Sequence, residues 1–122
     1  MAIDPTGFPL DLTGSNPRNK VVNDTRTLTT NTDAVFVPDG GPFYSRTLVI
    51  TSGTQVLKPN VDYKCLHLLK DASLASGLDV CGIVMITNEQ VTEVNLTYQV
   101  IGGEYANTVP IIGHLLENAD NL

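Results

Sequence analysis

The chain contains no tryptophan, and aromatic residues make up only 6% of its 122 positions. A hydrophobic core must therefore be built from valine, isoleucine and leucine. Apolar residues still account for 42% of the sequence, which is too many for an intrinsically disordered chain. The length fits one domain with a core of modest size.

Basic residues are scarce, and the net charge is −6. A nucleic-acid-binding surface needs clustered lysine and arginine, so this class of function is excluded. All seven basic residues lie between Arg18 and Lys70, whereas seven acidic residues follow Lys70. This asymmetry indicates either a solvated acidic face or a dipolar subunit that orients head to tail in an assembly.

Long apolar runs are also missing. No run approaches the roughly 18 residues of a transmembrane helix, and residues 1–4 carry neither the basic region nor the apolar region of a signal peptide. We therefore expect a chain that is made and folded in a cytoplasm and does not bind membranes.

The sequence has only two cysteines, Cys65 and Cys81, each inside an apolar strand-like run. The pattern favours two small buried thiols that stay reduced. A disulfide between neighbouring strands is the alternative. A metal site would need further ligands, and only His67 lies near in sequence.

Glycine and proline are plentiful, and strand-like runs recur between turns. Six or seven short strands predict an all-β fold, a two-sheet antiparallel β-sandwich of immunoglobulin-like size over residues 21–105. The runs lie at 21–29, 34–37, 43–51, 55–57, 63–70, 80–87 and 93–100.

Two of these runs have informative patterns. Residues 80–87 are almost wholly apolar, which predicts a central strand covered on both faces. Residues 93–100 alternate, so Val94, Leu96, Tyr98 and Val100 should face the core while Glu93, Asn95, Thr97 and Gln99 face outward. The same alternation places Leu48 and Ile50 in the core.

Two shorter features lie between and after the strands. Residues 71–77 predict one helical turn, capped by Asp71 and ended by Gly77. The pair Gly102-Gly103 predicts a bend that ends the last strand.

The two ends of the chain differ from the middle. Proline and glycine interrupt residues 1–20, which predicts an extended arm that packs along the domain or reaches a neighbour. Residues 106–122 predict a short helical tail that is too short to be stable alone and must dock on its own sandwich, a copy or a partner. The predicted assembly contacts are the apolar residues of both ends, Phe8, Leu10, Ile111, Ile112, Leu115 and Leu116.

No catalytic motif is present. The two histidines, His67 and His114, lie in none of the familiar nucleophile or metalloprotease patterns. Asp33, Asp39 and Asp62 lie on predicted loops, but without the spacing of an EF-hand. We therefore expect a protein that is not an enzyme, with no catalytic residues, no cofactor and no assigned metal site.

Several segments carry a resemblance to a known family. The chain opens with Asp4-Pro5-Thr6-Gly7 followed by Asn16-Pro17, and its later matching segments are 41–44, 48–50, 61–63, 77–88 and 98–105. Across roughly residues 4–116 it resembles the N-terminal module of tail-associated virion structural proteins, of baseplate or fibre-attachment type, from large contractile-tailed bacteriophages. Similar proteins usually continue beyond the Gly-Gly-Glu-Tyr segment, so one alternative is that this chain is the anchoring part of a longer protein.

The resemblance implies a structural component of a phage tail that is located in the virion and assembled in the host cytoplasm. Its partners would be other virion proteins and copies of itself, with no nucleic acid or membrane. The alternative function is a carbohydrate- or surface-binding β-sandwich module. That alternative would normally present clustered aromatic rings, whereas the four tyrosines here are dispersed at positions 44, 63, 98 and 105.

Overall fold

A computed structural model describes residues 8–28 and 34–107 of the chain. Within these ranges it contains one α-helix, α1 (Lys70–Ser76), and short 3-10 helices at Pro17–Asn19, Ser45–Thr47 and Gly103–Asn107. The strands are β1 (Lys20–Thr27), β2 (Val35–Phe36), β3 (Phe43–Tyr44), β4 (Val49–Ser52), β5 (Gln55–Val56), β6 (Tyr63–Leu68), β7 (Val80–Ile86) and β8 (Glu93–Gln99). Across the same residues, no helix has the length and apolar character that crossing a membrane requires.

The strands form two antiparallel sheets. The first sheet has the order β1-β8-β4-β5, and in the second β7 pairs with β2, β3 and β6. The predicted all-β, two-sheet antiparallel sandwich is therefore confirmed. The predicted C-terminal helix lies outside the described residues.

The inner face of β8 forms the centre of the core. Its predicted inward residues are buried, and so are the predicted core residues of β4 and the segment before it. The ring of Phe43 meets the ring of Tyr98 edge to face, with centroids 5.8 Å apart. Alternation therefore predicted the inner face correctly: Leu48, Ile50, Val94, Leu96, Tyr98 and Val100.

Strand β7 is covered on both faces, as its apolar run predicted. Every residue of β7 except Met85 is buried. The larger apolar cluster, which includes Phe43 and Val84, fills the space between the sheets. A smaller cluster forms beside it from Tyr44, Leu69, Ala72, Val80 and Ile101, so α1 covers part of the second sheet through Ala72.

The run 43–51 was predicted as one strand, and this prediction is wrong. Strand β3 pairs with β7 in one sheet, whereas β4 pairs with β8 in the other, so the chain crosses between the sheets at the intervening 3-10 helix. The Thr47 hydroxyl donates to the carbonyl oxygen of Tyr44 at 2.7 Å and accepts from the N–H of Gln99 at 3.0 Å. This local side-chain bonding competes with a continuous strand, and strand periodicity does not detect it.

Two smaller predictions also need correction. Gln99 lies on the outward side, opposite Lys20, but it is not exposed as expected: it is only 9% exposed, and its Nε2 atom donates to the carbonyl oxygen of Asn16 in the N-terminal arm at 2.9 Å. Asp71 does not cap α1, since the N-cap residue is Leu69 and makes no side-chain cap bond. Gly77 does end α1 as predicted, with a left-handed φ of 76°.

The buried position of Leu96 at the centre of β8 gives a test of the core. Leu96→Ala should lower the free energy of unfolding by about 2–5 kcal/mol, because a fully buried leucine leaves a cavity. Val56→Ala, at a position 62% exposed on β5, should change it by less than about 0.5 kcal/mol. Urea unfolding measures both, and equal small effects would contradict the assigned packing.

Candidate functional site

The described part of the N-terminal arm, residues 8–19, lies against the end of its own sandwich. The N–H of Gly103 donates to the carbonyl oxygen of Phe8 at 3.1 Å, and the N–H of Asp11 donates to that of Ile101 at 2.8 Å. Phe8 is partly buried against the larger core cluster, whereas Leu10 remains 45% exposed. Of these two predicted contacts, Leu10 therefore presents the larger apolar surface.

The Gly102-Gly103 pair makes this close approach possible. Both glycines have left-handed backbones, with φ of 64° and 57°. A Cβ atom at Gly102 would lie 2.3 Å from the carbonyl oxygen of Pro9, and one at Gly103 would lie 2.7 Å from the Cβ of Leu10. Sequence reasoning identified the bend but had no signal for the arm that packs against it.

Asn19 joins the arm to the last strand region from a fully buried position. Its Nδ2 atom donates to the carbonyl oxygen of Pro9 at 2.7 Å and to that of Val100 at 3.0 Å. The hydroxyl of Tyr44 donates to the carbonyl oxygen of Asp11. Buried polar groups of this kind are costly unless bonded, so these contacts fix where the arm runs.

The carboxylate of Asp11 organises the turn that follows. One oxygen accepts from the N–H and hydroxyl of Thr13 at 2.9 and 2.6 Å, and the other accepts from the N–H of Asn16 at 3.1 Å. Burial alone would raise the pKa of Asp11, but these hydrogen bonds outweigh burial and hold the pKa below its ordinary value. Proline and glycine spacing predicted an irregular arm and missed this turn.

A second buried carboxylate, Asp24 on β1, ties the two sheets together. Its Oδ2 atom accepts from the hydroxyl of Tyr98 at 2.6 Å and from the N–H of Asp39 at 3.0 Å. The same hydroxyl accepts from the N–H of Gly40 at 3.0 Å. Because Asp39 and Gly40 belong to the turn between β2 and β3, the network fastens that turn to the first sheet.

Arg26 completes the network at its solvent edge. Its guanidinium contacts Asp24 at 3.3 Å and Asp39 at 2.6 Å, and it lies 5.0 Å from the ring centroid of Phe36. Burial, followed by the hydrogen bond to Asp24, raises the pKa of Tyr98 well above its ordinary value. The tyrosine therefore stays protonated, and the network links β1 and β8 to the turn between β2 and β3.

The loop carboxylates considered for calcium are used differently. Asp39 pairs with Arg26, while the two oxygens of Asp62 accept from the N–H of Lys58 at 2.8 Å and from Nδ2 of Asn88 at 2.9 Å. Asp33 lies outside the described residues. Over residues 8–28 and 34–107, no group of three His, Cys, Asp or Glu side chains could hold a metal ion.

The two cysteines are free thiols that line one cleft of about 450 Å³ between β6 and the segment around Ser45. Cys65 pairs in register with Val84, and Cys81 pairs with Leu68. Their Cα atoms are therefore offset by three residues, roughly 10 Å along the strands, which is beyond the Cα separation of about 7 Å that a disulfide tolerates. The register supports two reduced thiols and opposes the alternative of a bridge.

The remaining candidates are distributed over the surface and core. His67 is exposed on β6 with a left-handed φ of 59°, and His114 lies outside the described residues. Three of the four tyrosines are buried, at positions 44, 63 and 98, so their rings are not available to stack on a sugar. Tyr105 is half-buried against Tyr44 and its neighbours.

The four C-terminal residues predicted as contacts, Ile111, Ile112, Leu115 and Leu116, lie outside the described residues. No family model, curated protein or solved structure matches the chain. The resemblance to phage tail modules therefore remains a prediction.

The carboxylate of Asp11 gives a pH-dependent test. A lowered pKa in the folded state means that the ionised group stabilises the fold above its unfolded pKa, and that this contribution is lost as pH falls through the folded pKa. Asp11→Asn should lower the free energy of unfolding by about 1–2 kcal/mol at pH 7, because one acceptor oxygen is lost. The deficit should be smaller at a pH well below the ordinary aspartate pKa of about 3.9, as the folded-state carboxylate becomes protonated.

Urea unfolding at both pH values measures this effect, and Asp71→Asn in the exposed first turn of α1 is the matched control. A deficit that is the same at both pH values would show that the Asp11 carboxylate does not carry the contribution.

The thiols give a second test. Burial, and then the charge of a neighbouring group, raises the pKa of Cys65 to about 12 and that of Cys81 to about 11. In the folded protein at pH 8, iodoacetamide should therefore react at least about a hundredfold more slowly than with an unfolded thiol. In urea without reductant, mass spectrometry should find two alkylated cysteines. An unreactive chain in urea would indicate a disulfide.

Proposed function

We propose that the chain is a structural component of a phage virion tail, in the baseplate, neck or fibre attachment, and that it acts as an anchoring module through its terminal segments. The observation that carries this proposal is the pairing of residues 8–11 with residues 101–103. Because these segments lie side by side, the chain enters and leaves the described domain at one end. Contacts made by both terminal segments would then fall on the same neighbour.

The buried polar groups are hydrogen-bonded within the chain, which supports a structural role. Asp11, Asp24 and Asp62 each accept at least two hydrogen bonds from their own chain. Asn19 likewise donates to two carbonyl oxygens. The three carboxylates and the Asn19 Nδ2 atom therefore stabilise loops and chain ends, although the buried Oδ1 of Asn19 has no partner among the described residues. Stable loops and chain ends are what a building block of a large particle needs.

The surface at this end offers an apolar attachment point. Leu10 is 45% exposed and Leu12 is 40% exposed, both on the described arm. Leu10 also lies over Gly103, so it is held in place by the glycine pair. A rigid apolar side chain at the point where both terminal segments begin is suited to burial against a neighbouring subunit.

The dispersed tyrosines favour this proposal over the carbohydrate-binding alternative. Among the described residues, the rings of Tyr44, Tyr63 and Tyr98 are all at most 4% exposed. A carbohydrate-binding site normally presents such rings at its surface. We therefore rank the binding module second.

The proposal is tested in particles of the virus whose genome encodes the chain. Purified and washed tailed particles should contain the protein, as measured by quantitative mass spectrometry. Leu10→Asp, supplied in place of the native chain, should reduce its incorporation at least about tenfold, because it places a charge in a desolvated contact. Leu74→Asp, at a position 73% exposed on α1, should incorporate normally.

Two results would contradict the proposal. Absence of the protein from purified particles would rule out a virion role. Normal incorporation of Leu10→Asp would show that the contacts lie elsewhere on the domain. Melting temperatures of both variants must stay within a few degrees of the native protein, which separates loss of attachment from loss of folding.

A further inference from the structure

The outer face of the first sheet carries few charges, and shallow depressions lie at its Glu93 end and its Lys20 end. Residues directly opposite each other in antiparallel strands point to the same face. Ile50 and Leu96 are paired and fully buried, so their neighbours in sequence point outward. The outward set from β1, β8, β4 and β5 consists of Val22, Asn23, Thr25, Thr27, Asn95, Thr97, Val49, Thr51 and Val56, with Lys20 and Glu93 at its ends. Gln99 lies on the same side beside Lys20, but the arm covers it.

The middle of this face has the chemistry of a contact surface. Val22, Val49 and Val56 are 55%, 48% and 62% exposed. Threonine and valine are β-branched and lose little rotamer freedom when they are buried. At the centre, Nδ2 of Asn95 donates to Oδ1 of Asn23 at 3.2 Å, so this amide already has a partner within the sheet.

The charges lie at opposite ends of the face. Lys20 is opposite Gln99, and Glu93 is opposite Thr27, so the two charges are separated by about six residues of strand, roughly 20 Å. Both side chains are exposed, and neither forms an ion pair within the described part of the chain. Consider two copies that meet face to face, related by a two-fold axis that lies between the faces and runs perpendicular to the strands. This axis would bring Lys20 of each copy close to Glu93 of the other.

The same axis matches the apolar residues. Val49 lies at the level of Thr97, and Thr51 lies at the level of Asn95, on either side of the paired residues Ile50 and Leu96. If the two-fold axis crosses β4 at Ile50, it places Val49 of one copy against Thr51 of the other. The face is therefore complementary to itself in charge, as a two-fold interface requires.

The sheet edges are less suitable for self-association. Strand β1 has an irregular register between Val21 and Asp24, with Asn23 at a left-handed φ of 58°. Strand β6, one edge of the second sheet, has His67 at φ of 59°. Such interruptions oppose the addition of a further strand, and the remaining edge strands β2, β3 and β5 have only two residues each. The face is therefore the better surface.

We propose that the outer face of the β1-β8-β4-β5 sheet binds the same face of a second copy of this chain, about a two-fold axis that pairs Lys20 with Glu93. Strands of eight, seven, four and two residues, spaced by about 4.8 Å, give roughly 350 Å² per copy. This is below the roughly 800 Å² per partner of a standard interface, so the dimer forms at high protein concentration. The inference concerns the isolated chain and does not depend on a virion role.

Sedimentation equilibrium of the intact chain, from about 10 μM to 1 mM, tests the proposal. The native chain should approach dimer at the upper end. Thr51→Arg, at the centre of the face, should raise the dissociation constant at least about tenfold. Leu74→Arg adds the same charge on α1, away from the face, and should leave the constant within about twofold.

Charge reversal tests the two-fold arrangement without altering the centre of the sheet. Glu93→Lys and Lys20→Glu should each raise the dissociation constant about tenfold, because each replaces two attractive pairs by two repulsive ones. The double variant Lys20→Glu/Glu93→Lys should return to within about threefold of the native value. A native chain that stays monomeric at about 1 mM, or a double variant no better than the singles, would overturn the proposal.

Discussion

The buried carboxylate of Asp24 is the constraint on which the arrangement of the two sheets depends. A carboxylate that is 5% exposed is tolerated only when it is fully bonded, and here the partners come from both sides of the sandwich. Tyr98 supplies a hydroxyl from β8, and the turn before β3 supplies the N–H of Asp39. The position of that turn, and therefore the pairing of β2 and β3 with β7, follows from one charged group.

A second constraint, made by glycines and not by a charged group, positions the N-terminal arm. The absence of side chains at Gly102 and Gly103 lets the arm lie against the last strand region, and Asn19 then satisfies backbone carbonyls of both segments. Both devices use buried polar bonds between segments far apart in sequence. The domain can therefore close its ends although its aromatic content is low.

The sequence predicted the parts of this fold that depend on periodicity. The alternation along β8 identified the inner face, and the apolar run at 80–87 identified the central strand covered on both sides. It could not predict the crossing between β3 and β4, because the Thr47 hydroxyl breaks a run whose pattern still reads as one strand. Nor could it locate the partners of Asp24 and Asn19, which depend on contacts across 74 and 81 residues of chain.

The antiparallel course of residues 8–11 and 101–103 also bears on how the domain can be combined with others. Because its two connections lie together, the domain could be inserted into a surface loop of a larger protein without separating the flanking residues of that loop. A gene could therefore gain or lose the segment that encodes this domain, and the larger protein would keep its own topology.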